Sequence, residues 1–278
     1  MKNYRVLIDC KDEKGLLYKI SKIFYENGLN IEKNDEFVDR MNGKFFTRSE
    51  VSGKVDLKFL KNQLQKKLPN DANIKIVEPR KKNIILMATK ESHALGDILI
   101  RYYDGELDIN ILAVISNYDL LRPLVEKFNI KFFHVSHFDL QRSEHEEKIL
   151  KLLNSFKEID FIVLAKYMRI LTPEFVKRYE NKIINIHHSF LPAFIGANPY
   201  KQAYNRGVKI IGATAHFVND NLDEGPIIAQ DVIHIDHSYS WEDMKSAGRD
   251  VEKIVLAKAL KLAVEDKIFV YANKTVIF

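Results

Sequence analysis

Apolar and polar positions in the first 80 residues follow two different periods. Four runs are apolar or alternate as strands do, and two stretches repeat apolar residues at the spacing of one helix face. The strand patterns cover residues 4–9, 31–39, 45–51 and 72–77, and the helix patterns cover residues 15–27 and 57–68. The predicted order βαββαβ is that of a small ferredoxin-like α+β unit.

From residue 82 onward, near-continuous apolar runs alternate with amphipathic stretches. The runs cover residues 83–89, 107–116, 131–135 and 161–165, and the helix candidates cover residues 93–103, 120–128 and 145–156. Strands that alternate with helices form right-handed βαβ units, which predicts a mostly parallel sheet flanked by helices. Ligands of such sheets bind beyond the carboxyl ends of the strands. We therefore predict two domains, an α+β unit at residues 1–80 and an α/β domain at residues 81–278.

Length and hydropathy are those of an ordinary two-domain protein. The 278 residues suffice for two domains of common size. No apolar run approaches the ~18 to 20 residues that span a bilayer, and the N-terminus lacks the apolar stretch of a secretory signal. We therefore expect a cytoplasmic protein that does not associate with a membrane.

Charge and cysteine content narrow the classes of partner. The net charge is +5, but basic and acidic residues are interleaved, which argues against a nucleic-acid groove and suits a small anionic substrate. The single cysteine, Cys10, excludes an intramolecular disulfide, and its apolar neighbours favour a buried side chain over a reactive thiol. The histidines lack the spacing of a metal site, so we expect no metal.

The turn after the strand pattern at residues 83–89 contains a single glycine, Gly96, and carries Glu91 and His93. A phosphate-binding turn needs several glycines, because its backbone N–H groups must cradle the anion. A carboxylate at residue 91 would also repel a phosphate. The turn therefore does not predict dinucleotide binding.

Three polar residues near strand ends are candidates for chemistry. An apolar run that ends at residue 187 places Asn185 and His187 on one face, where an amide and an imidazole can donate hydrogen bonds to an oxygen that gains negative charge. Asp223 lies in a loop among apolar neighbours, which would raise its pKa and make it a proton acceptor near neutrality. Taken singly, each is more typical of a structural role, since polar residues often end strands and aspartate often precedes a Gly-Pro turn.

The order of these motifs resembles a known family. The motifs are Asn185-x-His187, Ser189-Phe-Leu191-Pro192, Gly212-Ala-Thr-Ala-His216 and Asp223-Glu-Gly225-Pro226-Ile-Ile. In this order they resemble the formyltransferase family, whose members use 10-formyltetrahydrofolate. Residues 187–197, 207–209, 247–253 and 269–273 are similar to the branch of that family that hydrolyses the formyl group. In that branch a small ACT-like domain precedes the formyltransferase-like domain, as residues 1–80 precede residues 81–278 here, so the resemblance covers nearly the whole chain.

The resemblance implies a formyltransferase-like fold for residues 81–278 and a hydrolase activity. The implied reaction converts 10-formyltetrahydrofolate to formate and tetrahydrofolate, which supplies formate for purine synthesis and balances the one-carbon folate pools. It implies no cofactor, because the folate is the substrate. Asn185 and His187 would polarise the formyl oxygen, Asp223 would accept or relay a proton from the attacking water, and His216 would orient the site.

Two alternatives to hydrolysis remain open on the sequence. Relatives that transfer the formyl group to glycinamide ribonucleotide carry a Gly-rich phosphate loop, and its absence here favours water as the acceptor. The first alternative is a transferase that acts on an amine without a phosphate or on the aminoacyl group of a transfer RNA. The second is a catalytically silent protein that binds folate or senses an amino acid.

The resemblance also implies contacts with the substrate. They lie at the end of one predicted strand and along a second predicted strand. The expected contacts are Met168, Arg169, Ile170, Leu171, His216, Phe217 and Val218. For Arg169, a helix cap or a surface ion pair is the alternative. One departure is Asn198, where the family usually has arginine, and this change would lower the affinity for substrate without altering a catalytic residue.

The first unit resembles the ACT family of small-molecule-sensing domains at Asp12-Glu-Lys-Gly15-Leu16 and at Asn30. The resemblance implies that Asp12, Gly15, Leu16 and Asn30 help to hold an amino-acid effector at a domain interface. Glycine permits close approach of the backbone, and the helix start offers free N–H groups to a carboxylate. A purely structural or dimerising role for this unit is the alternative, and pairing of ACT sheets would make the protein a homo-oligomer.

Overall fold

The structure is a computed structural model that describes residues 2–193 and 199–278. The departure at Asn198 and the neighbouring segment 194–197 lie outside the described residues. The chain forms two compact units. The first comprises Met1–Arg80, Glu265–Lys267 and Phe278, and the second comprises Lys81–Val264 and Ile268–Ile277.

The first unit has its strands and helices in the predicted order. They are β1 (Lys2–Lys11), α1 (Leu16–Glu26), β2 (Asn30–Asp39), β3 (Lys44–Gly53), α2 (Leu57–Lys67) and β4 (Asn73–Val77). The sheet order is β2-β3-β1-β4, and each neighbouring pair is antiparallel. The prediction of a ferredoxin-like α+β unit is therefore confirmed.

The core of the first unit consists of apolar side chains from both helices and the sheet. Ile20 and Phe24 of α1 and Leu60 and Leu64 of α2 belong to it, which accounts for the apolar spacing in the sequence. Cys10 is fully buried in the same core. Burial raises the pKa of its thiol to about 12, so this side chain is an unreactive core residue.

The second unit is built around a larger sheet. Its described elements are β5 (Lys82–Ala88), α3 (His93–Tyr103), β6 (Ile109–Ser116), α4 (Arg122–Glu126), β7 (Phe132–His134), α5 (Arg142–Leu153), β8 (Phe161–Leu164), α6 (Pro173–Arg178), β9 (Ile183–His187), α7 (Pro199–Arg206), β10 (Ile210–Phe217), β11 (Ile227–His234), α8 (Trp241–Val264), β12 (Ile268–Tyr271) and β13 (Lys274–Ile277). The sheet order is β11-β10-β9-β8-β5-β6-β7, and β12 and β13 form a separate antiparallel hairpin. The strands from β9 to β7 pair in parallel, whereas β10 pairs antiparallel with β9 and β11. The prediction of a mostly parallel sheet flanked by helices is confirmed.

Helices cover both faces of this sheet. α3, α4 and α8 bury apolar side chains against one face, and α5 and α6 do so against the other. Ile184 and Ile186 of β9 belong to the first of these cores, so the alternate residues Asn185 and His187 point to the other face. Across the described ranges, no helix is both long and apolar enough to cross a membrane.

The position of the crevice follows from the strand order. The chain runs from β5 to β6 and β7 on one side, then returns to place β8 and β9 on the other side of β5. Connections that leave adjacent strand ends in opposite directions open a crevice at the carboxyl edge of the sheet. The turns after β5 and β8, the end of β9 and the loop after β10 all line this crevice.

Candidate active site

Asn185 and His216 are neighbours across two strands. The antiparallel register of β9 and β10 pairs the two residues, and Asn185 Nδ2 lies 3.2 Å from His216 Nε2. His216 Nδ1 lies 2.8 Å from the carbonyl oxygen of Phe217. Because a carbonyl oxygen only accepts, His216 carries its proton on Nδ1, and its Nε2 accepts from the Asn185 amide. The His216 ring therefore fixes which way the Asn185 amide points.

A tight loop brings Asp223 to the same place. A Cβ at Gly225 would lie 1.7 Å from the carbonyl oxygen of Phe217, so only glycine lets the loop approach β10 this closely. The backbone N–H of Phe217 donates to the carbonyl oxygen of Pro226 at 2.9 Å and anchors the loop. Asp223 itself has a left-handed backbone with φ of 57°. These features direct its carboxylate toward the end of β9.

His187 is the link between Asp223 and the cavity. Its Nδ1 lies 3.1 Å from Asp223 Oδ2, and its side chain is 6% exposed. Its buried Nε2 has no hydrogen-bond partner within the described part of the chain. A neutral imidazole that donates from Nδ1 to a carboxylate has its Nε2 lone pair available, so Nε2 can take a proton from a reacting group.

The charge state of Asp223 differs from the sequence expectation. Burial alone would raise the pKa of this carboxyl, as the apolar neighbours suggested. The hydrogen bond from His187 outweighs that effect and holds the pKa of Asp223 well below its ordinary value. The expectation of a raised pKa is therefore wrong, and Asp223 is a carboxylate at neutral pH.

These residues line a cavity of about 680 Å³. Asn185, His187, His216 and Asp223 share it with Val218 and the segment 168–171. Met168 and Ile170 are 59% and 49% exposed, which is high for apolar side chains and typical of a ligand wall. The backbone N–H of Met168 donates to Thr89 Oγ1 at 2.9 Å and fixes this segment beside the turn after β5.

Phe217 does not join the other predicted substrate contacts. Its side chain is 3% exposed and packs in the core under α3 and α8, and it is not part of the cavity wall. The reason is the strand alternation, which points His216 and Val218 one way and Phe217 the other. The prediction of Phe217 as a substrate contact is wrong for its side chain.

Sequence reasoning missed a charged cluster at the cavity. Glu252 Oε2 lies 2.8 Å from His93 Nε2 and 3.2 Å from Lys166 Nζ, and Tyr200 donates to Glu252 Oε1 at 2.7 Å. We call these four residues the Glu252 network. Two signals were available, Lys166 at the end of a buried apolar run and Glu252 within the family-like segment 247–253.

The loop and helix start predicted to hold an effector are present in the first unit. Gly15 has φ of 86° and stands at the start of α1, where no side chain caps the helix. The backbone N–H of Asp12 donates to the carbonyl oxygen of Gly43 at 2.8 Å. Leu16 is 3% exposed and belongs to the core, so its contribution to this loop is packing.

Asn30 lies away from the other three predicted effector residues. It pairs with Ser52 near the end of β3, whereas Asp12 adjoins the start of β3. The ends of this strand are roughly 26 Å apart at a rise of about 3.3 Å per residue. Within a single chain Asn30 therefore does not share a site with Asp12 and Gly15, because β2 runs in the same direction as β1 and begins at the opposite edge of the sheet.

The described ranges, residues 2–193 and 199–278, contain no candidate metal centre. No group of three or more His, Cys, Asp or Glu side chains there is arranged to hold a metal ion. The candidate catalytic side chains instead hydrogen-bond to one another and to the backbone, as described above.

The fold and the site define the class of this protein. A family model described as formyl transferase matches residues 82–260, and a model described as ACT domain matches residues 4–68. A relative from Haemophilus influenzae, named formyltetrahydrofolate deformylase, is 56% identical over 272 residues that cover 98% of each chain. The chain belongs to the formyltetrahydrofolate deformylase family, which confirms the resemblances found in the sequence.

Solved structures agree with this assignment. The crystal structure of a formyltetrahydrofolate deformylase from Pseudomonas syringae pv. tomato has a TM-score of 0.95 and 40% identity, covering 100% of this chain and 95% of that one. A phosphoribosylglycinamide formyltransferase from Anaplasma phagocytophilum has a TM-score of 0.64 and 30% identity, covering 71% of this chain and 95% of that one. The fold alone therefore does not decide which acceptor takes the formyl group.

Proposed function

We propose that this protein is a hydrolase that converts 10-formyltetrahydrofolate to formate and tetrahydrofolate. The observation that carries the proposal is the His187 ring, whose Nδ1 is held by Asp223 while its Nε2 has no partner in the described chain. Relatives that match nearly the whole chain are named formyltetrahydrofolate deformylases, which supports this substrate and this reaction.

The first step adds water to the formyl carbon. The Asn185 amide has a second N–H that its contact with His216 does not use, and this N–H donates to the formyl oxygen as that oxygen gains charge. The water gives a proton to His187 Nε2 as its oxygen bonds to carbon. Asp223 remains ionised and stabilises the resulting imidazolium.

The second step breaks the bond between the formyl carbon and N10. The His187 imidazolium returns its proton to N10, so that tetrahydrofolate leaves as a neutral amine and the carbon leaves as formic acid, which gives its proton to solvent and becomes formate. This scheme assigns the immediate proton acceptor to His187. Asp223 is the weaker candidate, because its low pKa makes it a poor base.

The folate itself occupies the apolar side of the cavity. Met168, Ile170 and Leu222 present exposed apolar surface there, and backbone groups of the segment 168–171 are available to the edge of a pterin ring. The scheme needs no cofactor or metal, since water and three side chains carry every proton and charge. Dialysis against a chelator is expected to leave formate release unchanged.

The test is formate release from 10-formyltetrahydrofolate with no amine present. Asp223→Asn is expected to bind folate but to lose about 100-fold or more in turnover, because Asn cannot stabilise the imidazolium. Glu224→Gln is the matched control, since this neighbouring acid is exposed and does not line the cavity. Turnover of Asp223→Asn near that of the wild type would contradict the assigned roles, and wild type that releases no formate would contradict the function.

The first unit supplies regulation and assembly in this proposal. The loop of Asp12 and Gly15 binds the carboxylate of an amino-acid effector, and β2 offers an unpaired strand edge to a second copy of the chain. Sedimentation equilibrium tests the assembly, and a monomer at micromolar concentration would exclude it. Formate production in the cytoplasm, for purine synthesis and the balance of folate pools, is the cellular role that follows from the substrate.

A further inference from the structure

The Glu252 network lies next to the residues that perform the chemistry. Lys166, Tyr200 and Glu252 line the same cavity as His187. The ring of His188 connects them, since its centroid is 5.1 Å from that of His187 and 6.1 Å from that of Tyr200. Burial and the charge of Lys166 lower the pKa of His188 to about 4, so this ring is neutral at physiological pH.

The network is buried and internally satisfied. The side chains of Glu252 and Lys166 are 1% and 5% exposed. Burial alone would raise the pKa of Glu252, but the hydrogen bond from His93, the charge of Lys166 and the hydrogen bond from Tyr200 lower it to about 2. A buried carboxylate with three partners resists displacement, because losing Lys166 would leave its charge uncompensated and losing Tyr200 or His93 would leave an oxygen without that hydrogen bond.

Helix α8 holds the Glu252 network in place. A Cβ at Gly248, one turn before Glu252, would lie 2.1 Å from the Tyr200 hydroxyl, so glycine at this position permits Tyr200 to reach the carboxylate. Arg249 of the same helix pairs with Glu91 at 3.1 Å. The turn after β5 is therefore tied to α8 at both Glu91 and His93.

The Glu252 network lies on the side of the cavity from which an acceptor of the formyl group would approach. If the folate fills the apolar side of the cavity, a nucleophile can reach the formyl carbon beside His187 only along the remaining, polar side. That side is bounded by the side chains of the Glu252 network, which already satisfy one another, so an amine-bearing molecule finds no free partner there unless the buried Lys166–Glu252 pair separates. A water molecule needs no such partner.

We propose that the Glu252 network sets the acceptor specificity of the enzyme, by filling the acceptor side of the cavity so that water and not an amine attacks the formyl carbon. This inference rests on the proposed hydrolase function and names the residues that separate it from formyl transfer. His93, Lys166, Tyr200 and Glu252 are specificity residues in this view and take no proton in the reaction.

Disrupting the Glu252 network would change the product of the reaction in a defined way. With water, the carbon–oxygen bond forms, the bond to N10 breaks, and N10 takes the proton that water gave to His187. With a primary amine, a carbon–nitrogen bond forms instead, the same bond to N10 breaks, and the amine proton passes to N10. The products are then an N-formylamine and tetrahydrofolate, with no oxidant or further reactant.

The experiment supplies wild type and variants with 10-formyltetrahydrofolate and increasing glycinamide, and measures N-formylglycinamide and formate by mass spectrometry. Wild type is expected to give formate alone above the enzyme-free background. Tyr200→Ala removes the ring beside His188 and is expected to raise the ratio of formylated amine to formate about tenfold or more. Tyr200→Phe keeps the ring, so its ratio is expected to stay within about threefold of wild type.

Further variants keep the test decisive. Tyr103→Ala, which alters an exposed aromatic on α3, is the control for nonspecific effects of losing a tyrosine. If Tyr200→Ala does not fold, the double variant Lys166→Ala with Glu252→Gln removes both buried charges and shortens the side chain at residue 166, which opens the same side of the cavity. A product ratio unchanged in the opened variants, or an amine formylated by wild type, would overturn the inference. Wild type that forms no tetrahydrofolate would instead overturn the proposed function.

Discussion

At the scale of single residues, the pKa of Asp223 decides how it contributes to folding as well as to catalysis. The hydrogen bond from His187 stabilises its charged form in the folded chain. A carboxyl whose folded pKa lies below its unfolded value of about 3.9 adds stability above that value, and the gain is lost as the pH falls through the folded pKa. The stability advantage of wild type over Asp223→Asn is therefore expected to be constant from about pH 7 to pH 5 and to shrink below about pH 4.

Urea unfolding of both proteins at pH 7, 5 and 3.5 measures this difference, with Glu224→Gln as the exposed neighbour. A raised pKa, as the sequence pattern suggested, would reverse the sign, because the folded state would then bind the proton more tightly. In that case the stability advantage of wild type over Asp223→Asn would increase as the pH falls from 7 to 5. Such a gain would contradict the hydrogen-bonded arrangement of Asp223 and His187.

The same residue shows where sequence reasoning stops. All three catalytic candidates were identified from the sequence, because residue types and strand alternation can be read along the chain. The signals were the spacing of Asn185 and His187 and the position of Asp223 before Gly225 and Pro226. The direction of the Asp223 pKa was not readable. It depends on a ring of β9 that lies 36 positions earlier and reaches the loop only through the fold.

At the scale of elements, the loop after β10 depends on one glycine. Gly225→Ala would place a methyl group 1.7 Å from the carbonyl oxygen of Phe217 and 3.2 Å from His216 Nδ1. The loop must shift to remove that overlap, and Asp223 moves with it. We expect a loss of about 1 to 3 kcal/mol in the free energy of unfolding and of about 100-fold in turnover.

Urea unfolding and formate release test this prediction together. The matched control is Gly96→Ala within α3, where the nearest heavy atom to a new Cβ is 4.0 Å away. Alanine there is expected to be neutral or to stabilise by up to about 1 kcal/mol, since glycine weakens a helix interior. A Gly225→Ala protein with the turnover of wild type would show that the loop tolerates the shift.

The elements of the sheet were readable to different degrees. Apolar runs gave β5 and β6 within two residues of their observed bounds, since buried parallel strands are apolar throughout. Helix α5 begins at Arg142, three residues before the pattern indicated, because the Glu144 carboxylate accepts the backbone N–H of Gln141 and starts the helix earlier. Helix α8 was not recognised, because Gly248 and Glu252 interrupt its buried face, and their partners lie far away in the sequence.

At the scale of the whole molecule, the catalytic candidates all belong to the second unit, and the predicted effector residues all belong to the first. Within the first unit, the loop of Asp12 and the start of β2 at Asn30 lie at opposite edges of one sheet. The resemblance to ACT domains grouped them because it follows order along the chain and not strand direction. If two copies of the chain pair through β2, Asn30 of one copy can take part in an effector site only together with the Asp12 loop of the other copy.

Regulation by the first unit is tested most sharply by two glycines at the two ends of α1. Gly15 and Gly28 have φ of 86° and 66°, and neither has a heavy atom within 4 Å of a new Cβ, so alanine costs similar backbone strain of about 1 kcal/mol at both. Only Gly15 adjoins the uncapped helix start where an effector carboxylate would bind.

Formate release is measured with and without each candidate amino acid. An amino acid that changes the rate of wild type and of Gly28→Ala is expected to leave Gly15→Ala unaffected. Equal responses of the two variants would place the effector elsewhere, and a wild-type rate that no amino acid changes would leave the first unit with assembly alone.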